Sequence, residues 1–199
     1  MIAKVCGLTA AEDVAMVLEA GADLVGFLAH PASPRHCPDP DLPRLAGERA
    51  VLVMVAEGPG PVLAWARACG ARWVQPYLPD PSGLEALRAE GLRILLPWPD
   101  EPGRERVEAD LYLWETSPKA TGVPGGSGRA HGLLHPPPGP FLLAGGLDGS
   151  VLAGRASLLP AHPPCRGFDA ASRLERAPGR KDPDLVAAFV RAAHHLERP

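Results

Sequence analysis

The sequence predicts an α/β fold, a single (β/α)8 barrel with some shortened helices, on three observations. Apolar, β-branched runs alternate with amphipathic stretches along the whole chain, the pattern of βα repeats and a parallel sheet. Eight such runs occur, more than an open doubly wound sheet usually has. The 199 residues suffice for one domain with a full core, but are few for eight complete βα units. An open α/β sheet is the runner-up. With no separate linker, low-complexity tail or second domain in view, residues 1–199 read as one barrel domain.

Strands are expected near Ile2 to Gly7, Asp23 to Ala29, Ala50 to Ala56 and Trp73 to Tyr77. Four more are expected near Arg93 to Pro97, Leu111 to Glu115, Pro140 to Ala144 and Arg166 to Ala170. The first helix is expected over Ala10 to Ala20, with Thr9 as its cap and Glu12 completing a capping box. Pro61 to Cys69, Pro81 to Glu90, Asp148 to Ala156 and Pro183 to Glu197 also read as helices, several with proline in or near the first turn. Pro99 to Ala109 has room only for a short helix, and Gly132 to Gly139 reads mainly as loop.

Composition narrows the class. A hydrophobic fraction of 46% with 22% charged residues is ordinary for a globular protein. A net charge of -3 with dispersed arginines argues against nucleic acid as a partner. No apolar run approaches a membrane span, and the N-terminus lacks a signal-peptide pattern, so the expectation is a cytoplasmic protein. The chain has no Asn, one Gln and 25 Pro, which suits a thermophile; a GC-rich genome alone accounts equally for 17 Arg against 3 Lys.

Cys6, Cys37, Cys69 and Cys165 show no Cys-x-x-Cys spacing and no disulfide pattern, which fits a reducing compartment. Only Cys6 has a setting that suggests chemistry. It ends the first strand, with Lys4 two residues back on the same face. A nearby lysine is expected to lower the thiol pKa and raise the thiolate fraction. A lone cysteine is more often a small buried hydrophobe, but the strand end just before Gly7 favours chemistry.

In such barrels the active site lies at the carboxyl ends of the strands. Ser33-Pro34-Arg35 follows the second strand, where Arg35 is either a solvated loop residue or a bidentate partner for a carboxylate at the barrel mouth. Gly125-Gly126-Ser127-Gly128 follows strand six and Gly145-Gly146 follows strand seven. Glycines let backbone N–H groups approach an anion closely, and barrels commonly bind phosphate through the loops after strands seven and eight. Glu115 closes strand six and is either a surface glutamate or a proton donor. Asp169, in the last strand, is either an interior hydrogen-bonding residue or part of the site. His131 and His135 have i, i+4 spacing, but Gly132 and the prolines from Pro136 argue against a ligand-bearing helix, so no metal is expected.

These motifs, in this order, resemble the phosphoribosylanthranilate isomerase family over essentially the whole chain. The resemblance rests on Lys4-Val5-Cys6-Gly7-Leu8-Thr9, Ser33-Pro34-Arg35, Val74-Gln75, Gly125-Gly126-Ser127-Gly128, Leu143-Ala144-Gly145-Gly146-Leu147 and Pro178-Gly179-Arg180-Lys181-Asp182. It implies a cofactor-free Amadori rearrangement of N-(5'-phosphoribosyl)anthranilate to 1-(o-carboxyphenylamino)-1-deoxyribulose 5-phosphate. It further implies Cys6 as general base, Glu115 as general acid and Arg35 as holder of the anthranilate carboxylate. The phosphate end then falls on Gly145, Gly146 and Gly126, with Ala171, Ser172 and Arg173. A monomer or a homodimer is expected.

Three positions depart from the family pattern. Its aspartate after strand six is Glu115 here, one methylene longer, and misplacing a catalytic group by about 1 Å can cost roughly a hundredfold. Its Ser-Ser-Gly after strand eight reads Ala171-Ser172-Arg173, where the missing glycine threatens a positive-φ turn while arginine adds charge. Val74-Gln75 continues as Pro76-Tyr77 where Leu-His-Gly is usual. These departures motivate an alternative from another class, a non-catalytic phosphate-ligand-binding protein on the same barrel. The next synthase of the pathway fits less well, because it needs a lysine acid and Lys4 is the one strand-end candidate.

Overall fold

The computed structural model describes residues 1–103, 105–115, 134–155 and 164–196. Eight parallel strands close into a barrel in chain order. They are β1 (Ile2–Cys6), β2 (Leu24–Leu28), β3 (Ala50–Val55), β4 (Trp73–Tyr77), β5 (Arg93–Pro99), β6 (Leu111–Glu115), β7 (Phe141–Leu143) and β8 (Cys165–Ala170). Every expected strand is present, with ends that differ by a residue or two.

Strand alternation splits the apolar residues into two layers. Cys6, Leu24, Val51, Val53, Leu95, Leu113 and Leu142 pack with one another inside the barrel. Their neighbours Val5, Val25, Leu52, Val74, Ile94 and Leu143 point outward and bury against the surrounding helices, including Val14, Val62, Leu87 and Phe189. This is the layered packing of a filled barrel rather than of a pore.

The helices are α1 (Ala11–Glu19), α2 (Pro59–Cys69), α3 (Gly83–Ala89), α4 (Gly149–Arg155) and α5 (Pro183–His195). Between β2 and β3 the crossover is a 3-10 segment, Pro43–Arg49, broken at Gly47 with φ 53°. Asp182 caps α5 by accepting from the Asp184 and Leu185 amides at 3.0 and 3.1 Å. No helix among the described residues is long and apolar enough to cross a membrane.

Two local expectations are corrected. Thr9 does not cap α1: Ala10 is the cap residue and no side chain bonds there. Instead Thr9 Oγ1 donates to Gly179 O at 2.7 Å. Glu12 is likewise drawn away, pairing with Arg180 at 2.6 Å, while Asp13 accepts from the Lys181 amide at 3.0 Å. The competing partner is a small antiparallel hairpin, β9 (Glu175–Ala177) and β10 (Arg180–Lys181), folded against the start of α1. After β5, the described residues 100–103 and 105–110 form turns and coil rather than a short helix. Proline 99 ends the strand and Pro102 follows in a turn, so little unbroken chain is left to form a helix.

Candidate active site

A cavity of about 280 Å³ opens at the carboxyl ends of the strands. Cys6, Arg35, Glu115, Gly145, Gly146, Asp169, Ala171, Ser172 and Arg173 all line it. Residues from the ends of β1, β6 and β8 and from the loops after β2, β7 and β8 thus converge on one space. Gly126 lies outside the described residues.

Cys6 is buried, and its strand register sets it beside Gly26. A Cβ at Gly26 would meet Cys6 Sγ at 2.5 Å, so glycine is required there for the thiol to fit. Lys4, fully buried, bonds Asp169 Oδ1 through Nζ at 2.5 Å across the β1–β8 seam. The expected lowering of the thiol pKa is overturned. Burial pushes the Cys6 thiol above its ordinary value; Lys4 and Lys181 pull it down, while Asp169 pushes it up again. The physical reason is that burial disfavours the thiolate, while Lys4 meets the thiol as half of an ion pair with Asp169, whose own charge opposes ionisation. Lys4 itself is pulled down by burial, but the charges of Asp169 and Cys6 outweigh this and leave its pKa raised.

Arg35 reaches the cavity in a bidentate pair with Glu175, Nε to Oε1 and Nη2 to Oε2, both at 2.8 Å. The same carboxylate accepts from Lys181 Nζ at 2.8 Å, and Lys181 also donates to Ala171 O at 3.2 Å. Burial pushes Glu175 upward, but the hydrogen bonds and charges of Arg35 and Lys181 leave it below the usual carboxylate range. Gly7, at φ 84°, makes room for the arginine stem, since a Cβ there would lie 2.7 Å from Arg35 Cδ. The solvated-loop alternative for Arg35 does not hold: the arginine is fixed, with its Nη1 edge outside the Glu175 fork.

Glu115 is buried at the end of β6. Tyr77, at the end of β4, donates to its carboxylate, with Oη 3.1 and 3.2 Å from the two oxygens. Gln75 Nε2 donates to Tyr77 Oη at 3.0 Å. Burial, then the Glu115 charge, push the phenol well above its ordinary pKa, so Tyr77 stays protonated and remains a donor. Gln75 is 3% exposed, and its Oε1 has no hydrogen-bond partner among the described residues.

After β7, the strand next to β6, Gly145 and Gly146 have φ of 100° and 62°, a left-handed turn that glycine adopts readily. Asp148 follows and caps α4, accepting from the Ser150 and Val151 amides at 2.9 Å each. Arg173 Nη1 pairs with Asp148 Oδ2 at 2.7 Å. Burial raises the Asp148 pKa, but the Ser150 and Val151 bonds and Arg173 hold it at about 2. Arg173 sits within a 3-10 turn, Ser172–Leu174, a right-handed conformation that any L-residue adopts. The loss of glycine at this position therefore introduces no backbone strain.

Tyr77, Gln75, Glu175 and Lys181 were not singled out as site residues from the sequence. The period-2 alternation of β4 puts Gln75 and Tyr77 on one face, a usable signal. Nothing local in the sequence connects Glu175 with Arg35, 140 residues away.

No protein-family model matches the chain. It is 34% identical over 220 residues to N-(5'-phosphoribosyl)anthranilate isomerase of Azorhizobium caulinodans, covering 98% of this chain and 92% of the relative. Among solved structures it is similar to TrpF of Jonesia denitrificans, with TM-score 0.77, 29% identity and 98% of each chain covered. It is also similar to phosphoribosyl anthranilate isomerase of Thermus thermophilus, with TM-score 0.77, 25% identity, and 96% of this chain and 98% of that one covered.

Proposed function

This chain belongs to the N-(5'-phosphoribosyl)anthranilate isomerase family, and from that premise we propose how its site carries out the reaction. It is an isomerase of tryptophan biosynthesis acting on a phosphorylated small molecule. Glu115 is the general acid and Cys6 the general base of an Amadori rearrangement. Glu115 gives its proton to the furanose ring oxygen; the C1–O bond breaks as the anilino lone pair forms C1=N. The Cys6 thiolate then takes the proton from C2, and the released electron pair forms C1=C2 and neutralises the iminium nitrogen. The enolamine ketonises to the product, 1-(o-carboxyphenylamino)-1-deoxyribulose 5-phosphate.

The reactive form carries its proton on Glu115 and has Cys6 as the thiolate. These steps need an acid and a base, and no cofactor enters them. Arg35, held by Glu175, takes the anthranilate carboxylate through its outer edge. The Gly145-Gly146 turn, with Ala171, Ser172 and Arg173 facing it, takes the phosphate. Gly126 belongs to that end on the strength of the family resemblance. Every role is filled from one chain, which suits a monomer or a homodimer, and the setting is the cytoplasm.

The observation that carries this reading is that one cavity collects a thiol and a carboxyl from different strands, with a fixed arginine and a left-handed glycine turn on its walls. The test is turnover of freshly generated N-(5'-phosphoribosyl)anthranilate by the purified chain at neutral pH and raised temperature. Rapid, Cys6-dependent conversion supports the reading. Binding of the substrate without conversion would replace it with a phosphate-ligand-binding protein.

A further inference from the structure

The hydroxyl of Tyr77 stands nearly equidistant from the two Glu115 oxygens, at 3.1 and 3.2 Å. Such a three-centre bond holds a carboxyl about its bisector. Gln75 fixes the hydroxyl from the other side: its amide N–H occupies an Oη lone pair at 3.0 Å and leaves the phenolic hydrogen to point at Glu115. Its own oxygen, Oε1, is buried and has no hydrogen-bond partner among the described residues. The contact Gln75 makes in the cavity wall is thus through its donor, and that donor is aimed at Tyr77.

We propose that Tyr77 is the positioning residue for the acid: oriented by Gln75, it fixes Glu115 and stabilises the carboxylate that remains after proton delivery to the ring oxygen. This rests on the reading of Glu115 as the acid. A hydrogen bond to an ionised acceptor is roughly twice as strong as one between neutral groups. The Tyr77 bond therefore strengthens as Glu115 passes from carboxylic acid to carboxylate, and an interaction that strengthens towards the transition state raises kcat while leaving KM alone. Tyr77 also fits the longer acid. Glu115 has one methylene more than an aspartate and one more rotatable bond to restrain, and the phenol supplies that restraint.

The experiment is a double-mutant cycle in steady-state turnover, with wild type, Tyr77→Phe, Glu115→Gln and the pair, and with melting temperatures measured alongside. Tyr77→Phe should lower kcat by about tenfold or more, with KM within about twofold. On the Glu115→Gln background the same change should have almost no further effect. Gln75→Met should lower kcat in the same direction by less. The inference is overturned if Tyr77→Phe keeps kcat within about twofold, or if the two losses simply multiply. A wild type without turnover overturns the isomerase reading and this inference with it. An active wild type that loses turnover in Glu115→Gln but keeps it in Tyr77→Phe overturns the inference alone.

Discussion

Cys6 and Gly26 face each other across the β1–β2 seam so closely that a Cβ at position 26 would sit 2.5 Å from Cys6 Sγ and 3.1 Å from Cys6 Cα. The space of the thiol is thus set by what its neighbour lacks. Gly26→Ala is expected to destabilise the fold by about 1–3 kcal/mol, the usual range for overpacking, and to displace the thiol from the cavity. Chemical denaturation and turnover check both effects. In a Cys6→Ala background the stability loss should shrink but not vanish, since the backbone contact persists. Equal losses in both backgrounds would show that the strain does not run through the sulfur.

Removal of the acid or the base tests the proposed chemistry directly. Cys6→Ala and Glu115→Gln are each expected to reduce turnover at least a hundredfold while the fold persists. Circular dichroism and steady-state kinetics on the same samples separate catalysis from folding. Near-wild-type turnover in either variant removes that residue from its assigned role.

The thiol itself can be titrated. Burial raises the Cys6 pKa, with the Asp169 charge adding to the rise and Lys4 opposing it. Alkylation of Cys6, followed by mass spectrometry, should therefore reach half its limiting rate above pH 9.0, the ordinary thiol value. Asp169→Asn removes the charge that raises the thiol and keeps an acceptor for Lys4, so the curve should move to lower pH. A midpoint below 9.0 in the unmodified chain would restore the view that Lys4 dominates the site.

Glu175 links site geometry to acid stability. Its carboxylate holds Arg35 and Lys181, and those partners keep its folded pKa below the ordinary 4.5. A carboxyl with a depressed folded pKa contributes stability in full above its unfolded pKa. That contribution is lost as pH falls through the lower, folded value. Wild type should therefore exceed Glu175→Gln in stability at pH 6, and the gap should close as pH drops below about 4.5. Denaturant midpoints at several pH values measure it; a gap independent of pH would assign the effect to packing. Arg35→Ala should act differently, raising KM more than it lowers kcat. An unchanged KM would remove Arg35 from the carboxylate site.

The barrel was legible because continuous apolar, β-branched runs are local signals, and eight of them stand out even where the intervening helices are short. Cys6, Glu115 and the Gly145-Gly146 turn were legible because strand ends can be read from those runs. What could not be read is long-range charge pairing. Lys4 lies two residues from Cys6, so its effect on the thiol looks simple in sequence; burial reverses the outcome, and Asp169, 165 residues on from Lys4, adds to it. Thr9 and Glu12 spelled a capping box, yet the hairpin near Gly179 competes for both side chains. Tyr77 looked like a flaw in a motif, and its hydroxyl proves to touch the candidate acid.

Arg173 and Asp148 offer a final test, at the phosphate end. Arg173 is about half exposed and pairs with Asp148, which also caps α4. Asp148→Asn preserves a good capping residue, so stability should change by less than about 1 kcal/mol. It also removes the charge that holds Arg173 away from an incoming phosphate. KM, and the inhibition constant of inorganic phosphate, should fall by about two- to fivefold, modest because an exposed pair is screened by solvent. Arg173→Gly, which returns the residue usual in the family, should raise both by a similar factor. Because the 3-10 turn imposes no strain on arginine, that exchange should bring no gain in stability. Unchanged values in both variants would leave phosphate binding to the backbone of Gly145 and Gly146 and reduce the Arg173 pair to surface structure.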